Sequence, residues 1–504
     1  MSRRFWSTAR AVVLLVVATW SSTCADSTIV APASMKAIGT VDARFQSYNI
    51  EMVEITGGRF WKPYPQTGRA LGDQDRYSYR PPIDLQNQRL RVLAAALSPA
   101  YMRVSGTGAN TTYFFDSDGP APAPPPGFNS ALTRMQWRGV VDFAKAVDAR
   151  IVTSFAISPG TRNAEGTWTP EQAGRLLAYT RTLGGSIAAA EYMNEPTLAA
   201  TGGAPTGYDA KAYGRDFRIF RAFLKQASPG TKILGPGSIG EATSASVSGL
   251  RTADLLAAGG GGIDVFSYHH YATVSRRCGG RDNPDEVLSE EWLSRTDRTL
   301  SFYRTLRDGF EPGKPVWLTE TANAACGGNP WDATFLDTFR YLDQLGRLAK
   351  SGVEVVMHNT LAASDYGLLD EKDFEPRPNY WGALLWHRLM GRTVLDPGTP
   401  IVPGLHLYAH CLPDNPGGVA VLALNTSRQT AQVLTLSTAA ESYVLQAPHL
   451  QSQTVQLNGR TLALGPDNEL PAFTAASTPA GVLTLRPASI TFLAMPAAAN
   501  HACR

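Results

Sequence analysis

The sequence predicts an α/β fold: a closed (β/α)8 TIM barrel with an appended antiparallel β-sandwich domain. Over residues 45–395, short apolar runs alternate with amphipathic helical patterns, as in a series of βαβ units. The apolar runs number eight, which is the number of strands in a TIM barrel. Beyond residue 395 the strands become short and alternating, with frequent turn residues, which favours a sandwich.

Each apolar run is nearly continuous, which is typical of a strand buried on both faces of a parallel sheet. The runs cover residues 45–51, 101–106, 151–158, 188–195, 232–238, 263–271, 315–320 and 353–361. Helical periodicity separates them, for example over residues 85–97, 134–148, 170–183, 209–227 and 333–350. No glycine-rich phosphate loop follows the first run, so a closed barrel is favoured over an open nucleotide-binding sheet.

The C-terminal region predicts a second domain. Its short alternating runs are separated by Asn, Gly, Asp and Pro and cover residues 419–425, 432–437, 442–446, 454–457 and 489–495. We expect a catalytic barrel over 45–395 and a sandwich over 396–504, with residues 26–44 adding an edge strand or two. A proline-rich stretch at 118–128 predicts an extended surface loop after the second strand.

The N-terminus has the composition of an export signal. Arg3, Arg4 and Arg10 form a basic start, residues 11–20 are apolar, and small residues around Cys24 offer a cleavage site. The apolar run is shorter than the ~20 residues that cross a bilayer. We therefore expect residues 1–25 to be removed as a signal peptide and the protein to be secreted or periplasmic. Sec or twin-arginine export, and lipidation of Cys24, stay open.

The overall charge gives little reason to expect a polyanionic partner. The chain is 43% hydrophobic and 18% charged, with a formal charge of +3, and it loses three positive charges with the signal peptide. A nearly neutral protein gives no electrostatic reason for nucleic-acid binding or membrane insertion. We expect neither, and we expect a monomer that would bind any polyanion through a local basic patch.

Four cysteines lie beyond the signal peptide, namely Cys278, Cys326, Cys411 and Cys503. In an exported protein they predict two disulfides, which allow three pairings. Cys278 and Cys326 follow neighbouring predicted strands, while Cys411 and Cys503 bracket the last region, so pairing within each set is favoured. A free Cys326 acting as a nucleophile is the alternative.

Two glutamates end the fourth and seventh predicted strands. Glu195 follows Asn194, and Glu320 follows Thr319. Barrel enzymes carry their catalytic groups at the C-terminal ends of the strands, and strands four and seven lie on opposite sides of the ring. Two converging carboxyl groups are what a retaining glycosidase needs, one as nucleophile and one as acid/base. A lone glutamate at a strand end is usually only solvated, but two at such positions favour catalysis.

The run His269-His270-Tyr271 could instead form part of a metal site. Consecutive residues of a strand point to opposite faces, so the two histidines do not easily bind one ion. We therefore expect no metal and no cofactor. His269 shares the orientation of Tyr271 and is expected to contact substrate, and a buried structural role for either histidine is the alternative.

Several segments resemble glycoside hydrolase family 79, the heparanase and β-glucuronidase family. The resemblance extends from Phe45 to Cys503 and is clearest at residues 97–103, 267–271, 354–357 and 379–381. It implies that Glu195 is the acid/base and Glu320 the nucleophile, that Asn194 binds the sugar 2-hydroxyl, and that Tyr271 bonds to Glu320. Burial and the Glu320 charge should raise the pKa of Glu195.

The resemblance also implies a pocket for the carboxylate of a uronic acid. Tyr366 matches the family's tyrosine in the loop after strand eight, and Glu51 matches an acidic residue that lines the sugar site. His358 stands where the vertebrate enzymes have a polar amide. Ser364 and Asp365 depart from a Gly-Asn-like pair, and we expect Asp365 to face solvent or an arginine rather than the substrate.

These observations predict an exported, cofactor-free retaining β-glucuronidase. They favour an endo-acting enzyme that cleaves heparan sulfate or related glycans. The proline-rich loop is short where vertebrate heparanase has a long excised linker, so the resemblance is to a bacterial single-chain member with an open cleft. One alternative is an exo-β-glucuronidase of the same family acting on terminal or small glucuronides. The other is a non-catalytic carbohydrate-binding protein, which the presence of both glutamates disfavours.

Overall fold

The computed structural model describes residues 28–65, 75–120, 123–242 and 249–504. The predicted signal peptide at 1–25 lies outside the described residues. Within them, no helix combines the length and the apolar character that crossing a membrane requires.

Eight parallel strands close into a barrel, and the predicted fold is confirmed. Barrel strands one to eight are Gln46–Glu51, Ala100–Ser105, Ala149–Ser154, Ile187–Glu191, Lys232–Ser238, Val265–Val274, Val316–Ala325 and Val355–His358. Each pairs with the next in sequence, and strand eight pairs with strand one through Val356 and Gln46. The predicted fourth strand extended to residue 195, whereas the observed strand ends at Glu191.

Helices follow most of the strands and pack around the barrel. They are Met52–Thr56, Gln88–Ala95, Arg134–Ala146, Glu171–Thr182, Ala210–Ala227, Thr252–Gly259, Glu290–Leu293, Arg295–Phe310, Phe335–Lys350 and Pro378–Leu389. Local capping sets several starts: Thr133 and Gln136 form a capping box before Arg134–Ala146, and Asp209 caps Ala210–Ala227. The five helices expected from periodicity are all present, with ends that shift by up to three residues.

The inside of the barrel is apolar at its base and charged towards its C-terminal end. Tyr101, Val152, Ala189, Trp317 and Met357 belong to one buried cluster contributed by the strands. Because side chains alternate along a strand, Arg103 and Glu191 share the inward face of Tyr101 and Ala189, two residues further along. Charged groups therefore lie at the mouth, above the apolar plug.

The C-terminal region and the N-terminal strands form two further sheets. Nine strands make the larger sheet: Ala37–Thr40, Thr393–Leu395, Leu405–Cys411, Val419–Asn425, Ala440–Gln446, Gln456–Leu457, Arg460–Thr461, Ala476–Thr478 and Ser489–Met495. Three strands make the smaller sheet: Thr28–Val30, Gln432–Leu436 and Gly481–Leu485. Residues 28–30 pair in parallel with Gln432–Leu436, unlike their antiparallel neighbours. The domain boundaries at 395 and 396 stay a prediction.

Two disulfides join the expected cysteines. Cys411 is paired with Cys503 at the sandwich, and Cys278 with Cys326 in the loops after barrel strands six and seven. In this pairing Cys326 is not a free thiol. Two small two-stranded sheets complete the fold, Gly58–Trp61 with Tyr77–Arg80 and Thr112–Phe115 with Ser130–Thr133.

Candidate active site

The two predicted catalytic glutamates converge at the mouth of the barrel. Glu320 lies in barrel strand seven, and Glu195 lies four residues after the end of strand four. An oxygen of Glu195, an oxygen of Glu320 and a ring nitrogen of His269 all lie within 4.8 Å of one another. Glu195 has a left-handed backbone, with φ of 49°, a conformation that costs a non-glycine residue about 1 kcal/mol or more. The fold therefore tolerates local strain to aim this side chain.

Arg103, in barrel strand two, is the centre of the site. Its Nη1 donates to Glu320 Oε2 at 2.8 Å, and its Nη2 donates to Glu191 Oε2 and to Asn194 Oδ1, each at 2.8 Å. The side chain is 1% exposed, so these contacts replace its hydration. One buried cation thus holds the strand-seven glutamate and two groups from the strand-four side.

The environments of the two glutamates drive their pKa values apart. Burial and the nearby Glu320 charge raise the pKa of Glu195, in the direction expected from the sequence. Burial alone would raise the pKa of Glu320, but His269, Arg103 and a hydrogen bond from Tyr271 favour its ionised form and hold its pKa below the ordinary value. These opposite shifts favour a protonated Glu195 beside an ionised Glu320, which is the arrangement that an acid and a nucleophile require.

Tyr271, Asn359 and Glu51 form a hydrogen-bonded line beside Glu320. The Tyr271 hydroxyl donates to Glu320 Oε1 at 2.7 Å, and Asn359 Nδ2 donates to the Tyr271 oxygen at 3.0 Å and to Glu51 Oε1 at 3.2 Å. Burial and the Glu320 charge raise the pKa of Glu51 well above its ordinary value. A side chain at Gly106 would collide with the Glu51 carboxyl, so a glycine is required there.

Asn194 and His269 are held by protein groups on one side of the site. Asn194 bonds to Asn110 through its main-chain N–H and carbonyl, at 2.8 and 2.9 Å, and its side-chain oxygen is occupied by Arg103. Its amide Nδ2 is left as the donor for a ligand. The His269 side chain is buried between Glu195 and Arg103, and its predicted contact with substrate stays a prediction.

Tyr366 lies in the loop after barrel strand eight and packs against Tyr271 and Ala322. His358, which was also predicted as a substrate-binding residue, does not reach the mouth. Met357 faces into the barrel, so His358 faces outward, where its ring meets the ring of Tyr341 at 5.1 Å. His358 Nε2 bonds to the main-chain oxygen of Tyr366 at 2.8 Å, so it braces the loop that carries Tyr366.

Asp365 is turned away from the substrate side by an arginine, as expected. Its carboxylate accepts from Arg277 Nη2 at 2.6 Å and from the main-chain N–H of Tyr64 at 3.1 Å. The Arg277 guanidinium also stacks on the Tyr64 ring, 4.0 Å from its centroid. Arg277 precedes Cys278, so the disulfide to Cys326 ties this bracing to the loop after strand seven.

A hairpin that the sequence did not predict covers part of the rim. Its strands, Gly58–Trp61 and Tyr77–Arg80, follow barrel strand one. Arg80 bonds to the main-chain oxygen of Ala362, and a side chain at Gly327 would collide with Trp61. The Trp61 and Tyr77 rings are stacked with centroids 4.5 Å apart. The hairpin therefore lies over the loops after barrel strands seven and eight.

A cavity of about 500 Å³ opens from His269 and Tyr271 towards the other side of the rim. Arginines line its outer part, and two of them have acidic partners: Arg295 lies 3.3 Å and Arg298 2.9 Å from Glu291. This volume is in the range of ligand-binding clefts.

The described residues contain one group of side chains with metal-ligand geometry, Glu195, His269 and Glu320. Arg103 already donates to Glu320 and lies 3.3 Å from the His269 ring, so a cation in this position would meet a positive charge. The geometry suits the prediction of Glu195 as acid/base and Glu320 as nucleophile.

Comparison with known proteins identifies the family. The model of the N-terminal domain of glycosyl hydrolase family 79 matches residues 126–346. Heparanase of Bos taurus is 31% identical over 395 residues, which cover 74% of this chain and 70% of that protein. The chain belongs to glycosyl hydrolase family 79.

Other family 79 proteins extend the match. Heparanase of Mus musculus is 29% identical over 83% of this chain and 88% of its own length, and heparanase-like protein 1 of Arabidopsis thaliana is 25% identical over 75% and 77%. Inactive heparanase-2 of Homo sapiens is 26% identical over 75% and 66%. These relatives come from animals and a plant, so the bacterial origin suggested by the sequence stays a prediction.

Solved structures agree with the fold. A 4-O-α-L-rhamnosyl-β-D-glucuronidase from Fusarium oxysporum aligns with a TM-score of 0.61 at 17% identity, covering 93% of this chain and 100% of that one. An α-L-arabinofuranosidase from Thermotoga maritima aligns with a TM-score of 0.64 at 14% identity, covering 93% and 99%. At such identities the likeness supports the barrel and its appended sheets only.

Sequence reasoning missed part of this family 79 site. Arg103, Glu191, Asn359 and Asn110 were not among the predicted site residues. The available signal was a charged residue inside an apolar strand, which Arg103 and Glu191 both show. A charge is rarely fully buried unless it is paired, so two such strands in one barrel indicate a buried ion pair.

Proposed function

We propose that this family 79 protein is a retaining β-glucuronidase in which Glu195 is the acid/base and Glu320 the nucleophile. The observation that carries the proposal is the pair of carboxyl groups within 4.8 Å whose pKa values are shifted in opposite directions. Retaining enzymes use a separation of about 5–5.5 Å, whereas inverting enzymes need about 6.5 Å or more. Membership of the family is not sufficient support, because a relative is named inactive heparanase-2.

The reaction follows from the two protonation states. Glu320 attacks the anomeric carbon while Glu195 donates its proton to the departing glycosidic oxygen, giving a glycosyl ester on Glu320 and a free alcohol. The ester has no charge, so the pKa of Glu195 falls and its carboxylate accepts a proton from water. That water attacks the anomeric carbon and releases Glu320. The Arg103 and Tyr271 hydrogen bonds hold Glu320 for the attack.

The proposed substrate group is a glucuronate. Tyr366 packs against Tyr271, and Tyr271 bonds to Glu320. We therefore expect the Tyr366 hydroxyl to lie near the sugar that Glu320 would attack. The pairing of Asp365 with Arg277 removes the negative charge that would otherwise oppose a carboxylate. Relatives named heparanase support heparan sulfate or related glycans as the first substrates to examine.

A second candidate is exo cleavage, which the rim hairpin favours. Trp61 lies against Gly327 and Arg80 bonds to Ala362, so the hairpin covers the rim beside barrel strands seven and eight. A cleft covered there would accept chain ends or small glucuronides. The proposal that the protein is a secreted monomer rests on the N-terminal sequence and on the family alone.

One experiment separates these functions. The purified protein is incubated with heparan sulfate and with an aryl β-glucuronide, and the products are sized. Mid-sized oligosaccharides indicate endo cleavage, and released monosaccharide with a slowly shortened polymer indicates exo cleavage. No hydrolysis of either substrate, by protein that is folded by circular dichroism, would refute the proposed function.

A further inference from the structure

The contacts of Arg103 determine which nitrogen of His269 carries a proton. Arg103 Nη2 lies 3.3 Å from His269 Nε2. Both N–H groups of Nη2 have shorter partners in Glu191 and Asn194, but a proton on Nε2 would still point at a guanidinium that has donors and no acceptor. In a neutral ring, Nε2 is therefore the nitrogen without a proton. The proton of the neutral ring therefore sits on Nδ1. This nitrogen lies 3.1 Å from Glu195 Oε1 and donates to it.

Arg103 is itself fixed by Glu191. Glu191 Oε2 accepts from Arg103 Nε at 3.1 Å and from Nη2 at 2.8 Å, and the Thr319 hydroxyl donates to Glu191 Oε1 at 2.8 Å. Burial would raise the pKa of Glu191, but Arg103, His269 and the hydrogen bond from Thr319 together hold that pKa below the ordinary value. An ionised, fully bonded Glu191 therefore sets the position of the guanidinium.

We propose that Glu191 is a positioning residue which, through Arg103 and His269, places the transferable proton of Glu195 on Oε2. The inference rests on the proposed function, because it assigns a task to residues around the acid/base. His269 occupies Oε1 of Glu195 as a donor, so Oε2 is the oxygen that can carry the acid proton towards the leaving group. Glu191 itself does not touch substrate in this arrangement.

Glu191 also sets the charge around Glu195. The other titratable or charged groups that face Glu195 come from four elements: Arg103 from barrel strand two, His269 and Tyr271 from strand six, Glu320 from strand seven and Tyr303 from helix Arg295–Phe310. Arg103 is the permanent cation of this set, and Glu191 balances it. Without the Glu191 charge, ionisation of Glu195 would become easier.

Nuclear magnetic resonance tests the His269 tautomer without any turnover. In protein labelled with ¹⁵N-histidine, the signals lost in His269→Gln identify this ring. We expect the neutral ring to carry its proton on Nδ1 and none on Nε2. A neutral ring with its proton on Nε2 overturns the inference. This measurement uses unmodified residue 191, so it decides even if variants of Glu191 fail to fold.

Kinetics tests the role of the Glu191 charge. Glu191→Gln keeps the shape and removes the charge, so the alkaline limb of kcat/KM on a glucuronide with a poor leaving group should move down by about one pH unit. Glu191→Asp keeps the charge and shortens the side chain, so it should lower kcat and leave the limb where the wild type has it. An unmoved limb in Glu191→Gln, or the same shift in both variants, overturns the inference.

The two hypotheses fail in different ways. A protein with the expected His269 tautomer but no hydrolysis of any glucuronide refutes the proposed function and leaves the tautomer assignment standing. A protein that hydrolyses glucuronides with His269 in the other tautomer refutes the role of Glu191 and leaves the function standing.

Discussion

Two buried arginines organise two charge clusters in this molecule, and the clusters differ in what they do to their carboxyl groups. Arg103, at the barrel mouth, faces Glu191 and Glu320, and these lie close to Glu195 and Glu51. Arg347, on the helix Phe335–Lys350, bonds to Asp343, Asp297 and Glu290. A second cation joins the Arg347 cluster: His406, on sandwich strand Leu405–Cys411, donates to Asp343 at 2.6 Å.

The difference lies in the balance of charge. Burial would raise the pKa of Asp343 and lower that of His406. The charges and hydrogen bonds of the Arg347 cluster outweigh burial and hold these pKa values at about 2 and about 9. Both groups are thus held in their charged forms. At the mouth, Arg103 is the permanent cation for four carboxyl groups, and the pKa values of Glu195 and Glu51 are raised while those of Glu191 and Glu320 are lowered. The Arg347 cluster sets two cations against three carboxylates, and we expect it to stabilise the fold. Four carboxyl groups around one permanent cation favour the opposed pKa values that an acid and a nucleophile need.

The largest expected effect comes from a substitution in the mouth cluster. Glu320→Gln removes the nucleophile, so turnover of every glucuronide should fall by roughly 10⁴-fold or more. Glu195→Ala should keep activity on aryl glucuronides whose leaving group needs no proton, and added azide should give a β-glycosyl azide. Product analysis checks the azide adduct. Equal losses in both variants, with no effect of azide, would contradict the division of roles.

The matched change in the Arg347 cluster should affect stability instead. Asp343→Asn removes the carboxylate that accepts from Arg347, His406 and Tyr408, so the free energy of unfolding should drop by about 3–5 kcal/mol. Asp297→Asn is the control, because that side chain is 41% exposed and its pairing should contribute about 1 kcal/mol or less. Denaturant unfolding measures both. If folded Asp343→Asn protein loses turnover as well as stability, the two clusters are not separate in function.

The raised pKa of His406 predicts how the stability of the Arg347 cluster depends on pH. Its pKa is about 9 in the folded protein and near 6.5 when unfolded, so the stability it contributes is complete below about pH 6.5. That stability, roughly 3 kcal/mol, should be lost as the pH rises from about 6.5 to 9. Thermal unfolding in wild type should show this decline, and His406→Gln should flatten it. A decline of the same size in the variant would assign it to other groups.

The sequence predicted the position of the carboxyl pair better than its surroundings. Glu195 and Glu320 could be placed because strand ends meet at one rim whatever the details of register. Whether Arg103 or His358 faces inward depends on strand position to a single residue, since a shift of one residue reverses the face. The predicted eighth strand left that choice open at His358, and the structure shows that Met357 takes the inward face.

The rim hairpin was missed for a different reason. Its strands, Gly58–Trp61 and Tyr77–Arg80, have four residues each and lie far apart in the sequence. Sequence signals for a hairpin depend on a short turn between alternating runs. What holds this pair at the rim is long-range: Arg80 with Ala362, and Tyr64 with Asp365.

The smallest expected effect concerns how the mouth selects its substrate. If Tyr366 donates to the glucuronate carboxylate, Tyr366→Phe should lower kcat/KM on glucuronides by the value of one charge-assisted hydrogen bond, about 1.5–3 kcal/mol. Trace activity on the matching glucoside, which has no carboxylate, should hardly change. Asp365→Asn is a useful companion, because it disturbs the Arg277 bracing of the same loop and should weaken both substrates to a similar extent. Paired rates on aryl β-glucuronide and aryl β-glucoside give the ratio for each variant.

Comparable rates on the two substrates in the wild type would leave the carboxyl pair in place and remove glucuronate as the proposed substrate, since a site built to bind a carboxylate should reject the sugar that lacks one.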